Sequence, residues 1–341
     1  MKTLLLLSAF GLGSILPARA QVSTPAAYHL LHTTTVGGEG GWDYLAVDAS
    51  ARRLYLSHAT QVEVVDLRTH QKVGTIANTS GVHGILPLPK LGRGYITNGR
   101  ANTVTIFDLK TLKPLGSLPT GAKPDALLQD DFSGRVFVFN NAGSSATVID
   151  PVTDKVVGTV ALGGAPEAGV ADGKGRIFVN LEDTNEIVVF DAKTLVVKQR
   201  WSVAPGEEPS GLALDRKRHR LFSVCANEKA IVLDAQTGKV VAQVPIGKGV
   251  DGVVFDEVTQ AAISSNGEGT LTVIYADSPT SYRTETISSA RGARTITQDP
   301  TTRRLYLSTA EFGPAPAATA EVPHPRPSVV PGTFKVLEFG R

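Results

Sequence analysis

The sequence predicts an all-β protein that forms a single seven-bladed β-propeller of four-stranded antiparallel blades. The main observation is a unit of about 42 residues that recurs seven times, with starts near residues 43, 83, 125, 167, 210, 251 and 294. The chain is also rich in glycine (34) and proline (20), and no window shows a convincing helical period. Many short strands joined by turns are typical of a propeller.

Each unit contains four short strand patterns. The first runs from a polar residue to Asp, as in Ser210–Asp215, and the second begins with Arg and continues with apolar residues, as in Arg53–Leu56. The third alternates towards Asp, as in Asn102–Asp108, and the fourth follows a Thr-x-Lys-Val turn, as in Thr237–Val241. Four antiparallel strands in every repeat make one propeller blade.

The seventh unit lacks its own fourth strand, because the chain ends soon after Thr333–Phe339. The segment Tyr28–Val36 precedes the first unit and is predicted to fill that place. This pairing would close the ring and leave no free sheet edge. We therefore assign residues 21–341 to one propeller.

Residues 1–20 resemble a cleaved signal peptide. Lys2 precedes the apolar run Leu4–Leu16, and Ala18 to Ala20 fits a small-x-small cleavage site. The run is too short for a membrane-spanning helix, so we predict a periplasmic or secreted protein without membrane insertion. The only cysteine, Cys225, cannot form an internal disulfide, and a monomer is expected.

Removal of the signal peptide makes the formal charge neutral. Lys2 and Arg19 are lost, so that Lys and Arg fall from 34 to 32, which equals the 32 Asp and Glu residues. A neutral chain does not favour a nucleic-acid partner, since phosphate binding depends on positive charge. Only the run Arg216–Arg220 is more basic than the repeat itself requires.

Two segments resemble the consensus of a known repeat family. Tyr95-Ile96-Thr97-Asn98 is one substitution from Tyr-Val-Thr-Asn, and Asp150–Val157 is similar to another part of the same repeat. The chain thus resembles the YVTN-repeat propellers over the whole mature sequence, with exported YncE-like proteins as the nearest group. The resemblance implies DNA binding as one activity, and related propellers include lactonases and antibiotic lyases.

Antiparallel geometry places the start of each first strand at one mouth of the central channel. The residues there are mostly ionisable, and the second strands end at the same face. We predict a ligand site at this mouth, although such polar residues also brace neighbouring blades in many proteins. The residues chosen for ligand binding are Asp43, His83, Asp125, Glu167, Ser210, Asp251, Arg294, Trp42, Asn98 and Asn140.

Histidines and carboxylates from neighbouring blades make a divalent metal ion a possible cofactor, although no local metal-binding motif is present. The ligands predicted for this ion are His58, His83, Asp43, Asp125 and His324. The leading prediction is binding of a small polar ligand or divalent cation, or a scaffold role towards a protein partner. A metal-assisted lyase or lactonase is the first alternative, with His83 or Glu167 as catalytic base, and YncE-like DNA binding is the second.

The seventh unit also contains a proline-rich insertion, residues 311–331, which holds His324. Its position predicts that it overhangs the same channel mouth. A stiff lid or wall and a simple spacer both remain open for this segment.

Overall fold

Seven four-stranded antiparallel sheets form a ring in the computed structural model, which describes residues 27–316 and 327–341. The predicted β-propeller of seven blades is confirmed. The proposed signal peptide and the central part of the insertion, including His324, lie outside the described residues.

The strands are numbered in chain order, and each blade is given from the channel outwards. Blades 1 to 4 comprise β2 (Leu45–Asp48), β3 (Arg53–His58), β4 (Gln61–Asp66) and β5 (Gln71–Ile76); β6 (Val82–Leu88), β7 (Arg93–Asn98), β8 (Thr103–Asp108) and β9 (Pro114–Pro119); β10 (Pro124–Gln129), β11 (Val136–Asn140), β12 (Ser145–Asp150) and β13 (Lys155–Ala161); and β14 (Pro166–Ala171), β15 (Arg176–Leu181), β16 (Glu186–Asp191) and β17 (Val197–Ser202). Blades 5 to 7 comprise β18 (Pro209–Asp215), β19 (Arg220–Cys225), β20 (Lys229–Asp234) and β21 (Val240–Pro245); β22 (Val250–Asp256), β23 (Ala261–Asn266), β24 (Thr270–Ala276) and β25 (Tyr282–Ser288); and β26 (Ile296–Gln298), β27 (Leu305–Thr309), β28 (Lys335–Gly340) and β1 (His29–Thr35).

Blade 7 is closed by the N-terminal strand, as the sequence predicts. Strand β1 pairs antiparallel with β28, from His29 opposite Gly340 to Thr35 opposite Lys335. The Tyr28 hydroxyl just before β1 donates to Asp256 Oδ2 at 2.8 Å. The closing strand is therefore attached to blade 6 as well as to blade 7.

The core lies between the blades and is built mainly from second and third strands. Strands β3, β7 and β15 are buried from their second residue onwards, whereas outer strands such as β5 are largely exposed. Aromatic side chains pack across the junctions, as where Phe137 of blade 3 lies 5.3 Å from Phe190 of blade 4. Burial of this apolar surface is the main driving force for stacking the blades.

Arginines join the blades on the face opposite the predicted mouth. Arg53 and Arg176 begin second strands, and Arg135 directly precedes one. Each donates to a backbone carbonyl just after the third strand of the next blade. Arg52 and Arg303 form cross-blade ion pairs with Asp299 and Asp256. These recurring arginines are thus part of the architecture.

The basic run that the sequence singled out is engaged in similar contacts. Arg216 donates to the carbonyl of Ala171 on blade 4, at 2.9 Å from its Nη2. Arg218 pairs with Asp215 at 3.3 Å, and Arg220 pairs with Asp234 at 2.8 Å. Among the described residues, no helix is long and apolar enough to cross a bilayer.

Replacement of Tyr28 by Phe is expected to weaken the closure of the ring. The variant removes a buried hydrogen bond to a carboxylate, so the free energy of unfolding should fall by about 2 kcal/mol. Urea denaturation of wild type and variant measures this loss. Leu30→Ala on the same segment is the control, because this side chain is 51% exposed and should change stability by less than about 0.5 kcal/mol. An equal loss in both variants would contradict the role assigned to the Tyr28 hydroxyl.

Candidate functional site

Three of the predicted residues converge at the channel mouth. One donor atom from each of Asp43, His83 and Asp125 lies within 4.8 Å of the other two. His83 Nδ1 is 2.5 Å from Asp43 Oδ2 and 3.6 Å from Asp125 Oδ1. Blades 1, 2 and 3 supply one residue each, so the cluster depends on the ring being formed. Two carboxylate oxygens and one imidazole nitrogen at this spacing are a suitable set of donors for a divalent cation.

The cluster is partly shielded from solvent. The Asp125 side chain is 6% exposed, while those of Asp43 and His83 are 17% and 26% exposed. Burial raises the pKa of Asp125 to about 7, and the neighbouring Asp43 charge acts in the same direction. The His83 pKa is also raised, because the hydrogen bond to Asp43 and the two carboxylate charges outweigh the effect of burial.

Two further carboxyl groups face the same mouth. Burial raises the pKa of Asp251 to about 7, and burial together with Asp125 and Asp251 raises that of Glu167 well above its ordinary value. Arg294 Nε lies 3.1 Å from Asp251 Oδ2 and supplies a compensating positive charge. No described residue forms a hydrogen bond with the buried Glu167 Oε2. The mouth is therefore a concentration of carboxyl groups that the protein only partly neutralises.

Tyr44 belongs to this site although the sequence analysis did not select it. It follows Asp43 directly, and its side chain packs against the core cluster of blades 3 and 4, across the channel from blade 1. Burial and the charges of Glu167 and Asp125 raise the pKa of its phenol well above the ordinary value. The phenol therefore lies among the mouth carboxyl groups.

The sequence did contain a signal for Tyr44. The residue after the mouth position is small in every other unit: Gly84, Ala126, Ala168, Gly211, Gly252 and Thr295. At Gly84 the reason is close approach, since a Cβ there would lie 2.7 Å from the Asp125 carbonyl oxygen of the next blade. Tyr44 departs from this rule as the one large side chain among the seven positions.

The backbone of the mouth is held by side chains of the preceding blade. Thr97 Oγ1 donates to the Asp125 carbonyl at 2.6 Å, and Thr295 Oγ1 donates to the Asp43 carbonyl at 2.8 Å. Ser265 donates in the same way to the carbonyl of Arg294. These bonds fix the positions of the charged residues before any ligand arrives.

Asn98 and Asn140 act inside their blades. Asn98 Nδ2 donates to the hydroxyl oxygens of Thr103 and Thr105, at 3.1 and 2.8 Å. Asn140 makes the matching pair of bonds to Ser145 and Thr147. Both amides are buried and join the second strand to the third strand of the same blade, whereas the bracing alternative expected contacts between neighbouring blades.

Ser210 and His58 are also placed apart from the three-residue cluster. Ser210 lies at the start of blade 5, where its hydroxyl is 3.4 Å from the Val250 carbonyl. The buried His58 ring stacks on Phe334 at 4.2 Å, and its Nδ1 lies 3.7 Å from Glu63 Oε1. His58 is thus held inside the junction of blades 1 and 7, while His324 lies outside the described residues.

Trp42 forms one wall of a small cavity beside the mouth. The cavity has a volume of about 190 Å³, and Phe312, Val329 and Arg294 contribute to its lining. The indole lies 6.0 Å from the Phe312 ring. Phe312 and Val329 form an antiparallel bridge at the base of the insertion, which therefore packs beside the mouth. This arrangement favours a wall over a spacer for the described part of the insertion.

Comparison with known proteins identifies the fold. No protein-family model and no curated protein matches the sequence. Among solved structures, a chain of Kuenenia stuttgartiensis hydrazine synthase is similar with a TM-score of 0.71 and 14% identity, over 81% of this chain and 94% of that chain. A chain from a crystal structure of a mitotic checkpoint complex is similar with a TM-score of 0.70 and 13% identity, over 100% of this chain and 98% of that chain. At these identities the likeness is one of fold alone.

The stability of the metal-free protein should fall as the pH rises from about 5 to about 7, above the range in which the carboxyl groups with lowered pKa values titrate. Asp125 and Asp251 have a pKa of about 7 in the folded chain, against about 3.9 when unfolded, so the folded state holds more protons in this range. Each group contributes a slope of at most about 1.4 kcal/mol per pH unit. Chemical denaturation of chelator-treated protein across this range measures the dependence.

Asp125→Asn should make this dependence shallower and should stabilise the protein at pH 8 relative to wild type. Asp108→Asn is the matched control. The Thr111 N–H and hydroxyl lower the pKa of Asp108, so above about pH 5 this group is ionised in both the folded and the unfolded chain, and its replacement should leave the slope unchanged. A wild-type stability that rises between about pH 5 and 7 would contradict the assigned protonation of the mouth.

Proposed function

We propose that the channel mouth binds a divalent first-row cation, such as Mn²⁺ or Zn²⁺, through Asp43, His83 and Asp125. The observation that supports the proposal is the convergence of their donor atoms within 4.8 Å. Three protein ligands leave coordination positions for water or for an organic ligand, as in metal sites that act on bound molecules.

The charge of the mouth supports the same function. Carboxyl groups this close repel one another when ionised, and burial adds to the cost of ionisation. A bound cation would remove both penalties, because it stabilises the ionised forms of Asp43 and Asp125. Cation affinity should therefore increase as the pH rises through 7, where Asp125 loses its proton in the free protein.

An organic ligand would complete the site. Arg294 pairs with Asp251 but its side chain is still 42% exposed, so it is accessible to an anionic group. The cavity behind it, next to Trp42 and Phe312, can receive a small apolar group. A small anion bound at the cation and at Arg294 is the ligand that this arrangement fits.

The direct test is calorimetric titration of the chelator-treated mature protein with Mn²⁺ and Zn²⁺. Wild type should bind near one equivalent of cation. His83→Ala and Asp43→Asn should each weaken binding by more than about 100-fold, beyond the range of changes made outside the ligand shell. Circular dichroism and thermal unfolding would verify that the variants fold.

Asp251→Asn is the matched control for the titration. It removes a carboxylate from the same mouth but lies outside the three-residue cluster. Cation binding should survive in this variant with a smaller loss than in His83→Ala. No binding by wild type, or equal losses in all three variants, would contradict the proposal.

A second candidate is hydrolysis of a lactone or ester at the same site. The observation in its favour is Glu167, whose buried Oε2 has no hydrogen-bond partner among the described residues and whose raised pKa makes its carboxylate a stronger base. The Glu167 carboxylate would take a proton from water as the water oxygen bonds to the carbonyl carbon. The ring C–O bond would then break as the protonated Glu167 returns that proton to the ring oxygen, which gives the hydroxy acid and restores the carboxylate. The cation would polarise the carbonyl.

A panel of γ- and δ-lactones with the cation-loaded protein tests this second function. Glu167→Gln should reduce turnover by at least about 100-fold, which is within the contribution of a positioned acid or base, while calorimetry should still detect cation binding. Turnover that is unchanged in Glu167→Gln would eliminate this candidate. Absence of turnover in wild type would leave cation binding as the function.

Export and membership of the YVTN-repeat group are part of the same proposal. They are supported by the signal-like residues 1–20 and by the Tyr95–Asn98 motif. DNA binding, which the resemblance implies, receives less support, because the mature charge is neutral.

A further inference from the structure

A second cavity lies on the face opposite the mouth, at the junction of blades 5 and 6. Its volume is about 400 Å³, within the range of small-molecule sites. It combines two guanidinium groups with three aromatic rings. The principal lining residues are Arg218, Arg220, Phe222, Phe255, Gln260 and Tyr282, and the carboxyl groups of Asp215 and Asp277 also line the cavity.

The cavity lies at a junction that lacks the arginine-to-carbonyl hydrogen bond between blades. At three other junctions, the arginine at the start of the second strand crosses to a carbonyl of the next blade, as Arg176 does to Ala235 at 2.7 Å. Arg220 holds this position in blade 5, and Ala276 of blade 6 holds the position of the acceptor. Instead of crossing, Arg220 Nη1 turns back to Asp234 at 2.8 Å and to the His219 carbonyl at 3.1 Å.

Two other departures from the repeat face the same space. Phe255 lies opposite Ala262 on the inner strand, a position where the other units have Val47, Pro87, Gln129, Ala171, Leu214 and Gln298. The β24–β25 ladder continues without a bulge to the pair Ala276 and Tyr282, whereas the outer ladders of blades 1 to 5 are bulged. Tyr282 is thereby placed 6.0 Å from Phe222, edge to face.

The polar groups of the cavity have spare hydrogen-bond donors. Arg220 Nε is buried, and no acceptor among the described residues pairs with it. Arg218 is bound through Nη1 to Asp215 and Gln260, and its side chain is still 45% exposed. Asp215 already accepts from the backbone N–H groups of Lys217 and Arg218. A guanidinium has five N–H donors, so Arg218 and Arg220 keep donors that these contacts do not use, while the other carboxylate of the lining, Asp277, is paired with Arg283 at 3.0 Å.

We propose that this cavity binds a small aromatic carboxylate, independently of the channel mouth. The carboxylate would accept hydrogen bonds from Arg218 and Arg220, and the ring would pack among Phe222, Phe255 and Tyr282. The turned-back Arg220, Phe255 and the unbulged β24–β25 ladder meet at this one cavity. Blade stacking requires neither Phe255 nor the unbulged ladder, because the other units have other residues at that position and the outer ladders of blades 1 to 5 are bulged.

The experiment uses 2-naphthoate as the probe with the full mature protein. Saturation-transfer NMR and calorimetry should detect binding of 2-naphthoate, and weaker binding of both 2-naphthamide, which lacks the charge, and octanoate, which lacks the ring. Arg218→Ala should weaken 2-naphthoate binding by about tenfold or more, and Phe255→Leu by about three- to tenfold.

Both substitutions have a precedent in the repeat, so the fold should tolerate them. Ala51 of blade 1 holds the position of Arg218 and keeps the same backbone bond to the strand-end Asp, and Leu214 of blade 5 holds the position of Phe255. Lys217→Ala is the control, since Lys217 is an exposed cation of the same turn outside the cavity lining.

Lys217→Ala should bind 2-naphthoate as wild type does. The proposal is overturned if wild type fails to bind 2-naphthoate, if 2-naphthamide binds equally well, or if Lys217→Ala loses as much affinity as Arg218→Ala. His83→Ala, which should lose cation binding at the mouth, should bind 2-naphthoate as wild type does. This result would show that the cavity and the channel mouth are separate sites.

Discussion

The pairing of β1 with β28 is the constraint on which the rest of this structure depends. It completes blade 7 from the two ends of the described chain and leaves no free edge where the ring closes. Once the ring is closed, all seven inner strands must begin at one mouth. Asp43 of blade 1, His83 of blade 2 and Asp125 of blade 3 become neighbours only because their blades are held side by side.

A closed ring also explains how the protein tolerates so many carboxyl groups in one place. A flexible chain would relieve the repulsion between like charges by moving them apart. Here it cannot, because hydrogen bonds from Thr97 and Thr295 fix the backbone of the mouth. The charges are therefore kept together at a cost that the interblade cores offset. Groups held in this way have raised pKa values and a strong tendency to bind a cation.

The repeat provides an internal standard for separating architecture from function. Arginines that cross between blades and asparagines that join the second strand to the third recur in several blades as contacts within the protein, and they need no ligand to explain them. Tyr44 and Phe255 differ from the residues at the matching positions of other blades. Tyr44 lies at the channel mouth, and Phe255 lines the cavity between blades 5 and 6. Each proposed site therefore contains a residue that departs from the repeat.

The sequence by itself determined the seven units, the four strands of each, the closing strand and the ring of polar residues at the mouth. These follow from a regular period and from antiparallel geometry, which are local properties of the chain. The tertiary structure decided which polar residues meet. His58 stacks on Phe334, Asn98 turns into its own blade and Tyr44 crosses the channel. The direction of a side chain at a strand end is set by the residues packed against it, and most of these lie far away in the sequence.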